Sequence, residues 1–470
     1  MTNKYITTTI PYVNADPHIG FALEIVQADT WARAQNLSGN SVVFNTGTDE
    51  HGAKIYEKAQ TENKDTQDYV DEYAVKFGNL KPALNLSYTN FIRTTNDDHI
   101  KAAQEFWNRC AQNGDIYIDK YKVKYCVGCE LAKTESELFD GKCSLHPNRE
   151  VDIIEEENYF FRFSKYQTQL LKLYNDHPDF VMPAHRLEEI RNFVTAGLED
   201  FSISRIKSKM PWGIPVPGDE KHVMYVWFDA LINYISTLGW PNDQKNFERN
   251  WPGVQVAGKD NLRQQSAMWQ AMLLSANLPP SKQIFIHGFI SMNGQKISKS
   301  TGNIVDPVKL VNKYGIDATR YYLLREIPAL DDGDFSYDRM EQLYDADLAN
   351  ELGNLVSRVT TMAAKDRLEI IIKANSLDGK IVSMIERFGF NEALEQLWDD
   401  IKVINKEIND TKPWSLEAKN RKNHLESWLK KIHNLGLNLA PFLPQTSEII
   451  MKVTSGKIER IEPLFPRLKK

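Results

Sequence analysis

Residues 5–13 read Tyr5-Ile6-Thr7-Thr8-Thr9-Ile10-Pro11-Tyr12-Val13, and Pro17-His18-Ile19-Gly20 follows shortly after. Beyond Gly20, Phe21, Ile25, Ala28 and Ala32 recur at helical spacing. The first stretch is rich in Thr and Ile, the composition of a buried or half-buried strand. Pro11 and Pro17 break it, and the spacing of the later apolar residues predicts a helix. A second strand-like run, Ser41–Asn45, ends in the polar segment Thr46-Gly47-Thr48-Asp49-Glu50-His51-Gly52. Strand, loop, helix, strand is the opening of a parallel α/β sheet, whose ligands sit beyond the carboxyl ends of its strands. Both unusual segments, the one at His18 and the one at Asp49, lie at such ends.

Outward from this unit the character changes near Tyr117, where short aromatic and β-branched runs surround Cys126, Cys129, Cys143 and His146. This reads as an insertion. An α/β pattern returns with Val223–Phe228 and Val254–Ala257 as strands, Ala267–Ala276 as helix and Ile284–Phe289 as strand. The last of these leads into Lys296-Ile297-Ser298-Lys299-Ser300. After Asp317 helical spacing dominates to about Thr454, with breaks at Pro413 and at Pro441 and Pro444, which reads as a helical bundle. The expected division is 1–116 and 216–320 as two halves of one α/β domain, 117–215 inserted between them, 321–345 linking, and 346–470 all-α.

Composition bounds the rest. The chain has 470 residues, 42% hydrophobic and 26% charged, a globular balance that excludes disorder as the dominant state. No stretch approaches 18 consecutive apolar residues, so no membrane span is expected. The N-terminus carries no signal-like apolar region, and 4 cysteines are too few for a disulfide scaffold, so the expectation is the cytoplasm. The net charge of −6 excludes a global basic field. Residues 341–470 carry 20 basic against 19 acidic side chains and the remainder 37 against 44, so any RNA must be met by local patches.

Three motifs carry chemistry. Cys126-x2-Cys129-x13-Cys143-x2-His146 offers two knuckle-like pairs that complete a tetrahedron around one Zn²⁺. Four protein ligands leave no open position, so this metal would be structural, holding a subdomain with little core of its own. Cys110 lies outside the pattern and reads as a plain core residue. Pro17-His18-Ile19-Gly20 presents backbone N–H groups at a helix start, which favours phosphate. Gly20 admits close approach of a nucleotide, and His18 can donate to a phosphate oxygen. Lys296 and Lys299, in a Gly-flanked loop after the last α/β strand, can close over a triphosphate.

The two loops together resemble the signature sequences of class I aminoacyl-tRNA synthetases. Within that class the chain most resembles the methionyl-tRNA synthetases over essentially its full length. The resemblance rests on Pro11-Tyr12-Val13-Asn14, the segment 46–52, the Cys3His knuckle, Asn158–Arg162, Tyr225-Val226-Trp227-Phe228-Asp229, Gly258-Lys259-Asp260-Asn261, Asn354–Arg358 and Pro413-Trp414. Related enzymes for isoleucine, leucine and valine carry a long editing insertion that this length cannot hold. The resemblance implies a Rossmann-like catalytic domain with a zinc-knuckle insertion, followed by an all-α anticodon-binding bundle. It also implies Asp49 as the carboxylate that holds the methionine ammonium. Ile10, Tyr12, Trp227 and Tyr234 become walls of the side-chain pocket, and His18, Gly20, Lys296 and Lys299 the ATP-handling residues. Asn354, Arg358 and Trp414 become readers of the CAU anticodon, in keeping with stacking and edge recognition of splayed bases. Aromatic walls suit a flexible thioether, which has no strong hydrogen-bond handle.

The implied reaction joins L-methionine to tRNA(Met) through a methionyl-adenylate, with Mg²⁺ accompanying ATP and the chain acting as a monomer. Phe21 departs from the pattern where the signature has a second histidine, Gln265 where relatives have a pocket histidine, and Ile297 where the lysine loop has Met. Phe21 cannot donate to phosphate, and Gln265 can hydrogen-bond but not titrate. Two rivals stay open: a catalytically impaired tRNA-binding paralogue, and a small-molecule nucleotidylyltransferase. The second would have no use for the helical bundle.

Overall fold

The computed structural model describes residues 2–468 apart from 130, 134–137, 293, 298–303 and 374–375. Its centre is a six-stranded, all-parallel sheet. In spatial order the strands are Asn90–Arg93, Ser41–Thr48, Asn3–Thr8, Val254–Gly258, Gln283–His287 and Val181–Met182. The chain builds outward in one direction from Asn3–Thr8 and in the other from Val254–Gly258 to Gln283–His287, with the earlier Val181–Met182 added at that edge. The strand order therefore reverses between those two neighbours, and the crevice beyond their carboxyl ends is the place such sheets offer to a ligand.

Side chains alternate across this sheet, as period-two geometry requires. Ile6, Phe44, Val256 and Phe285 enter a core that continues through the helix Ile19–Leu37 into the C-terminal helices. Tyr5, Ala257, Ile284 and Ile286 enter a second core built on Phe106, Trp107, Trp240 and Trp269. The helix Ile19–Leu37 has 14 of its 19 residues buried, so it is a central element, and its polar side chains need partners inside the protein.

Several boundaries differ from the sequence reading, each for a tertiary reason. The first strand stops at Thr8, and the chain returns to the sheet only at Tyr12, which forms an isolated bridge with Asp49. The second strand runs on to Thr48 because Asn90–Arg93 pairs with Asn45–Thr48. The strand expected at Val223–Phe228 is corrected: Asp219–Met224 is a strand of a separate antiparallel sheet, and Val226–Ala230 is a helix. That sheet joins Ser204–Ile206, Pro215–Val216 and Asp219–Met224, so it crosses the expected boundary at 215/216. The insertion also returns Val181–Met182 to the edge of the parallel sheet.

The cysteine-bearing segment is the tip of a long antiparallel pairing between Ile116–Tyr125 and Asp152–Phe161. At the other end of the chain the expected boundary at 345/346 falls inside unbroken helix, since Tyr337–Leu343, Tyr344–Gly353 and Asn354–Lys365 follow without a gap. Phe390–Thr411, Ala418–Leu439 and Pro444–Val453 complete the helical part, separated where Pro413, Pro441 and Pro444 interrupt the pattern. No helix among the described residues is long and apolar enough to cross a membrane.

Candidate functional site

A cavity of about 470 Å³ opens at the reversal point, a size suited to a small-molecule ligand. It brings together residues from four separated segments: Ile10 and Tyr12, His18 and Gly20, Asp49, and Trp227 with Tyr234. Ile297 also lines it. Asp49 is buried and held through its backbone, donating to Pro11 O at 2.9 Å and accepting from Val13 N–H at 3.1 Å. Gly52, at φ 123°, closes the same loop; a Cβ there would lie 2.4 Å from the Tyr12 hydroxyl. A glycine is therefore required for Tyr12 to stand beside Asp49.

The loop carrying Asp49 is fixed from behind. Glu50 receives Arg93 at 2.7 and 3.0 Å, and Trp212 donates its indole N–H to the Glu50 carbonyl at 2.6 Å. His51 Nδ1 lies 2.7 Å from Asp229, on the helix that carries Trp227, and His99 Nε2 lies 2.8 Å from the other oxygen of that carboxylate. Asp229 is fully buried. Burial pushes its carboxyl up, but His51 and His99 outweigh that and hold it below the ordinary carboxylate range. The loop that carries Asp49 and His51 and the helix that carries Trp227 are thus tied to one another through a single carboxylate.

Tyr234 is buried and accepts from the Gln265 amide at 2.7 Å, and Gln265 Oε1 accepts from Gln255 at 3.2 Å. Gln265 therefore lines the pocket as an uncharged hydrogen-bonding group. Phe21 also faces the cavity and packs edge-on against Phe77 at 5.5 Å, where a histidine would have offered a donor.

His18 caps the helix Ile19–Leu37, its Nδ1 accepting from Gly20 N–H at 3.1 Å. This use of Nδ1 places the ring proton on Nε2, ready to donate. A Cβ on residue 20 would press on the His18 ring at 3.0 Å, so a larger residue there would push the ring from its capping position. The ring is reachable by water yet walled in by the cavity. That desolvation lowers its pKa from the ordinary histidine value against the opposing pull of Asp260. Lys296 belongs to the strand Gln295–Lys296, whose backbone pairs with Ile290–Met292. Lys299 lies outside the described residues.

Away from the cavity, the thiols of Cys126, Cys129 and Cys143 and the ring of His146 converge, all ligand atoms within 4.8 Å of one another. Cys129 Sγ is 3.4 Å from Cys143 Sγ and 3.3 Å from His146 Nδ1, and Cys126 Sγ is 3.8 Å from His146 Nδ1. A metal bound at ~2.3 Å to sulfur and ~2.0 Å to nitrogen gives tetrahedral edges of roughly 3.4–3.8 Å. The four residues could hold such an ion. Cys110, buried among apolar neighbours, is no part of the group, and burial pushes its thiol up to about 12.

In the helical part, Asn354 and Arg358 line a surface cleft with Asn409 and Lys402. Arg358 donates from both terminal nitrogens to Asn409 Oδ1 at 2.9 Å and lies over the Trp414 ring at 5.0 Å. Trp414 is 57% exposed, so the three residues form one accessible aromatic and basic patch.

A family model described as tRNA synthetases class I (M) matches residues 4–143 and 129–360. The methionine–tRNA ligase of Thermotoga maritima is 42% identical over 473 residues, covering 96% of this chain and 75% of that protein. The methionine–tRNA ligase of Nostoc sp. is 43% identical, covering 95% and 88%. The chain belongs to the methionyl-tRNA synthetases of class I. A solved Mycobacterium tuberculosis methionyl-tRNA synthetase in complex with methionyl-adenylate matches with a TM-score of 0.93 at 35% identity, over 99% of this chain and 100% of that one. The free-state structure of the M. tuberculosis methionyl-tRNA synthetase gives 0.84 at 32% identity, over 100% and 99%.

Measured against this synthetase fold, the sequence reading missed the groups that hold the site together: Glu24, His51, His99, Asp229 and His287. His51 sits two residues from Asp49 and Glu24 one helical turn from Gly20, so both carried a positional signal. Asp229 follows Trp227 and Phe228 in the sequence, with no local sign of its two histidine partners. His99 and His287 carried no such signal, because their partners lie 130 and 263 residues away.

Proposed function

We propose that the chain ligates L-methionine to tRNA(Met) at the expense of ATP, with His18, Gly20, Lys296 and Lys299 handling the nucleotide. Asp49 holds the α-ammonium of methionine, and Ile10, Tyr12, Trp227 and Tyr234 enclose its side chain. The observation that carries this reading is the buried carboxylate of Asp49 beside the aromatic walls of the cavity, with the His18 helix start opening into the same space. A small zwitterion with an apolar tail fits that combination, and the phosphates of a nucleotide fit the helix start.

The methionine carboxylate attacks the α-phosphorus of ATP, the bond to the bridging oxygen breaks, and pyrophosphate leaves. His18 donates from Nε2 to the developing charge, and the two lysines stabilise the departing pyrophosphate. Mg²⁺ would arrive with ATP and share the phosphate charge. The terminal ribose hydroxyl of the tRNA then attacks the mixed anhydride, forming the ester and releasing AMP. No side chain of the cavity needs to act as a general base, so the chemistry is one of positioning and electrostatics.

Cys126, Cys129, Cys143 and His146 would hold one Zn²⁺ in a closed, structural site. Asn354, Arg358 and Trp414 would meet the anticodon, and the catalytic reading assigns residues 1–116 and 216–320 to chemistry and 346–470 to RNA. The same reading takes the chain as a cytoplasmic monomer.

ATP–pyrophosphate exchange with and without methionine tests this. Methionine-dependent exchange, lost in Lys299→Ala together with aminoacylation, is the expected result. Exchange without methionine would favour a nucleotidylyltransferase. No exchange alongside intact tRNA binding would favour an impaired paralogue, which Phe21 alone supports.

A further inference from the structure

Glu24 and His287 face each other across the cavity wall, and both are buried. Glu24 stands on the helix capped by His18, one turn beyond Gly20. Its Oε1 accepts from the Thr9 backbone N–H at 2.7 Å and from the Thr9 hydroxyl at 2.6 Å. Its Oε2 lies 3.0 Å from His287 Nε2. His287 ends the strand Gln283–His287, and its Nδ1 lies 2.7 Å from the Gly288 carbonyl. The carbonyl can only accept, so Nδ1 donates to it, and opposite a Glu24 carboxylate Nε2 donates as well, which makes the ring an imidazolium.

The charge inventory gives this pair a consequence. Among the described residues that line the cavity there are four carboxylates (Asp16, Glu24, Asp49 and Asp260), two histidines, and no lysine or arginine. His18 uses Nδ1 as an acceptor and is held neutral. Among those described residues His287 is the one cation on an otherwise acidic wall that an entering triphosphate would meet. The pair also joins two elements: Glu24 belongs to the helix that starts at His18, and the chain beyond His287 leads into Ile290–Met292, which pairs with Gln295–Lys296.

We propose that Glu24 and His287 are a charge-matched positioning pair for adenylate formation, in which the His287 imidazolium cancels Glu24 beside the nucleotide phosphates and fixes the helix that starts at His18 against the end of the strand Gln283–His287. The proposal rests on the activity proposed above. The groups facing His287 are Glu24 from the helix and Asp260 from the turn after Val254–Gly258. Nearby, Asp332 receives both Lys259 and the Phe289 N–H, and His18 faces Asp260 across the cavity. Burial pulls the His287 pKa down, but the bond and charge of Glu24, the Gly288 carbonyl and Asp260 outweigh it and raise it above the ordinary value. The neutralising charge is therefore held above the pH at which an ordinary histidine loses its proton, and is lost as pH rises through that raised value.

The test is exchange kinetics on His287→Gln, Glu24→Gln and the double variant, read as separate KM values for ATP and methionine across an alkaline pH series. The amide introduced by His287→Gln still donates to Glu24 but leaves its charge bare, so this variant should lower kcat/KM for ATP about thirtyfold or more. Its methionine KM should stay within about threefold, showing an intact fold. Glu24→Gln should be milder and move the alkaline loss to lower pH. The double variant, an uncharged amide pair, should regain at least about tenfold over His287→Gln and show no such loss. The proposal is overturned if the two single variants are equally mild, if their losses simply add, or if ATP and methionine suffer together. NMR of ¹³C-labelled histidine reads the His287 ring without reference to activity. A ring titrating at the ordinary histidine value in the wild type, or unmoved in Glu24→Gln, overturns the pair even if the single histidine variant fails to fold. Wild-type protein without methionine-dependent exchange would instead defeat the function, while the NMR arm still decides the charge.

Discussion

Asp49 and Trp414 mark two ends of one problem, a charged group hidden from water and an aromatic ring left in it. Asp49 is buried at the carboxyl end of its strand, where a cationic partner gains most from low dielectric. Asp49→Ala should therefore raise the methionine KM by about thirtyfold or more while the ATP KM moves little. An unchanged methionine KM in exchange assays would make the residue purely structural. Trp414, more than half exposed beneath Arg358, has no core to support. Trp414→Ala should leave exchange near normal and reduce kcat/KM for tRNA roughly five- to 150-fold, the loss of one stacking platform. Equal defects in both assays would contradict an RNA role. The loss should also shrink on tRNA carrying a weak anticodon variant, since less correct stacking is left to remove.

At the scale of elements, the knuckle is a tip held out on a long two-stranded arm, with few apolar side chains of its own. A metal held by Cys126, Cys129, Cys143 and His146 would supply what a core would otherwise supply. Burial pushes the Cys143 thiol up, yet backbone N–H groups of Leu145 and His146 and the neighbouring thiols outweigh this and hold it below the ordinary value. Donors arranged around a sulfur in this way favour thiolate. Metal analysis should find one zinc per chain in protein purified without chelator. Cys143→Ala should remove it, speed proteolysis within residues 117–150, and weaken adenylate formation only indirectly. A zinc-free wild type that resists proteolysis equally well would refute the site. The spacing of the four ligands was fully legible in the sequence because knuckle pairs are local. The arm that carries them was not, since its ten-residue register joins segments whose composition shows only short aromatic and β-branched runs.

Across the whole molecule, the helix that begins at His18 is bolted to the C-terminal helices by a buried ion pair. Arg320 lies 2.7 Å from Asp29 and donates to the carbonyls of Phe442, Pro441 and Leu84 at 2.8, 3.0 and 3.2 Å. Burial alone would raise Asp29, but Arg320, Arg33 and Ser87 outweigh it and hold its carboxyl below the ordinary carboxylate range. A depressed carboxylate stabilises the fold above its unfolded pKa of about 4 and loses that contribution as pH falls through the lower folded value. Denaturant titrations from neutral pH downward should show this as an acid-side loss that Asp29→Asn lacks. Arg320→Met, which leaves Asp29 charged and buried, should cost about 3–5 kcal/mol at neutral pH. Local pattern was enough for the parallel α/β opening, the helix start at His18, the cysteine and histidine cluster that could hold a metal and the proline-bounded helices, because strand alternation, helical spacing and knuckle pairs act over a few residues. Only the tertiary structure decided that Val226–Ala230 is helix, that the insertion lends a strand to the main sheet, and that Glu24 meets His287 and Asp29 meets Arg320. Those depend on which buried polar groups find partners hundreds of residues away, and no window of sequence contains both halves of such a pair.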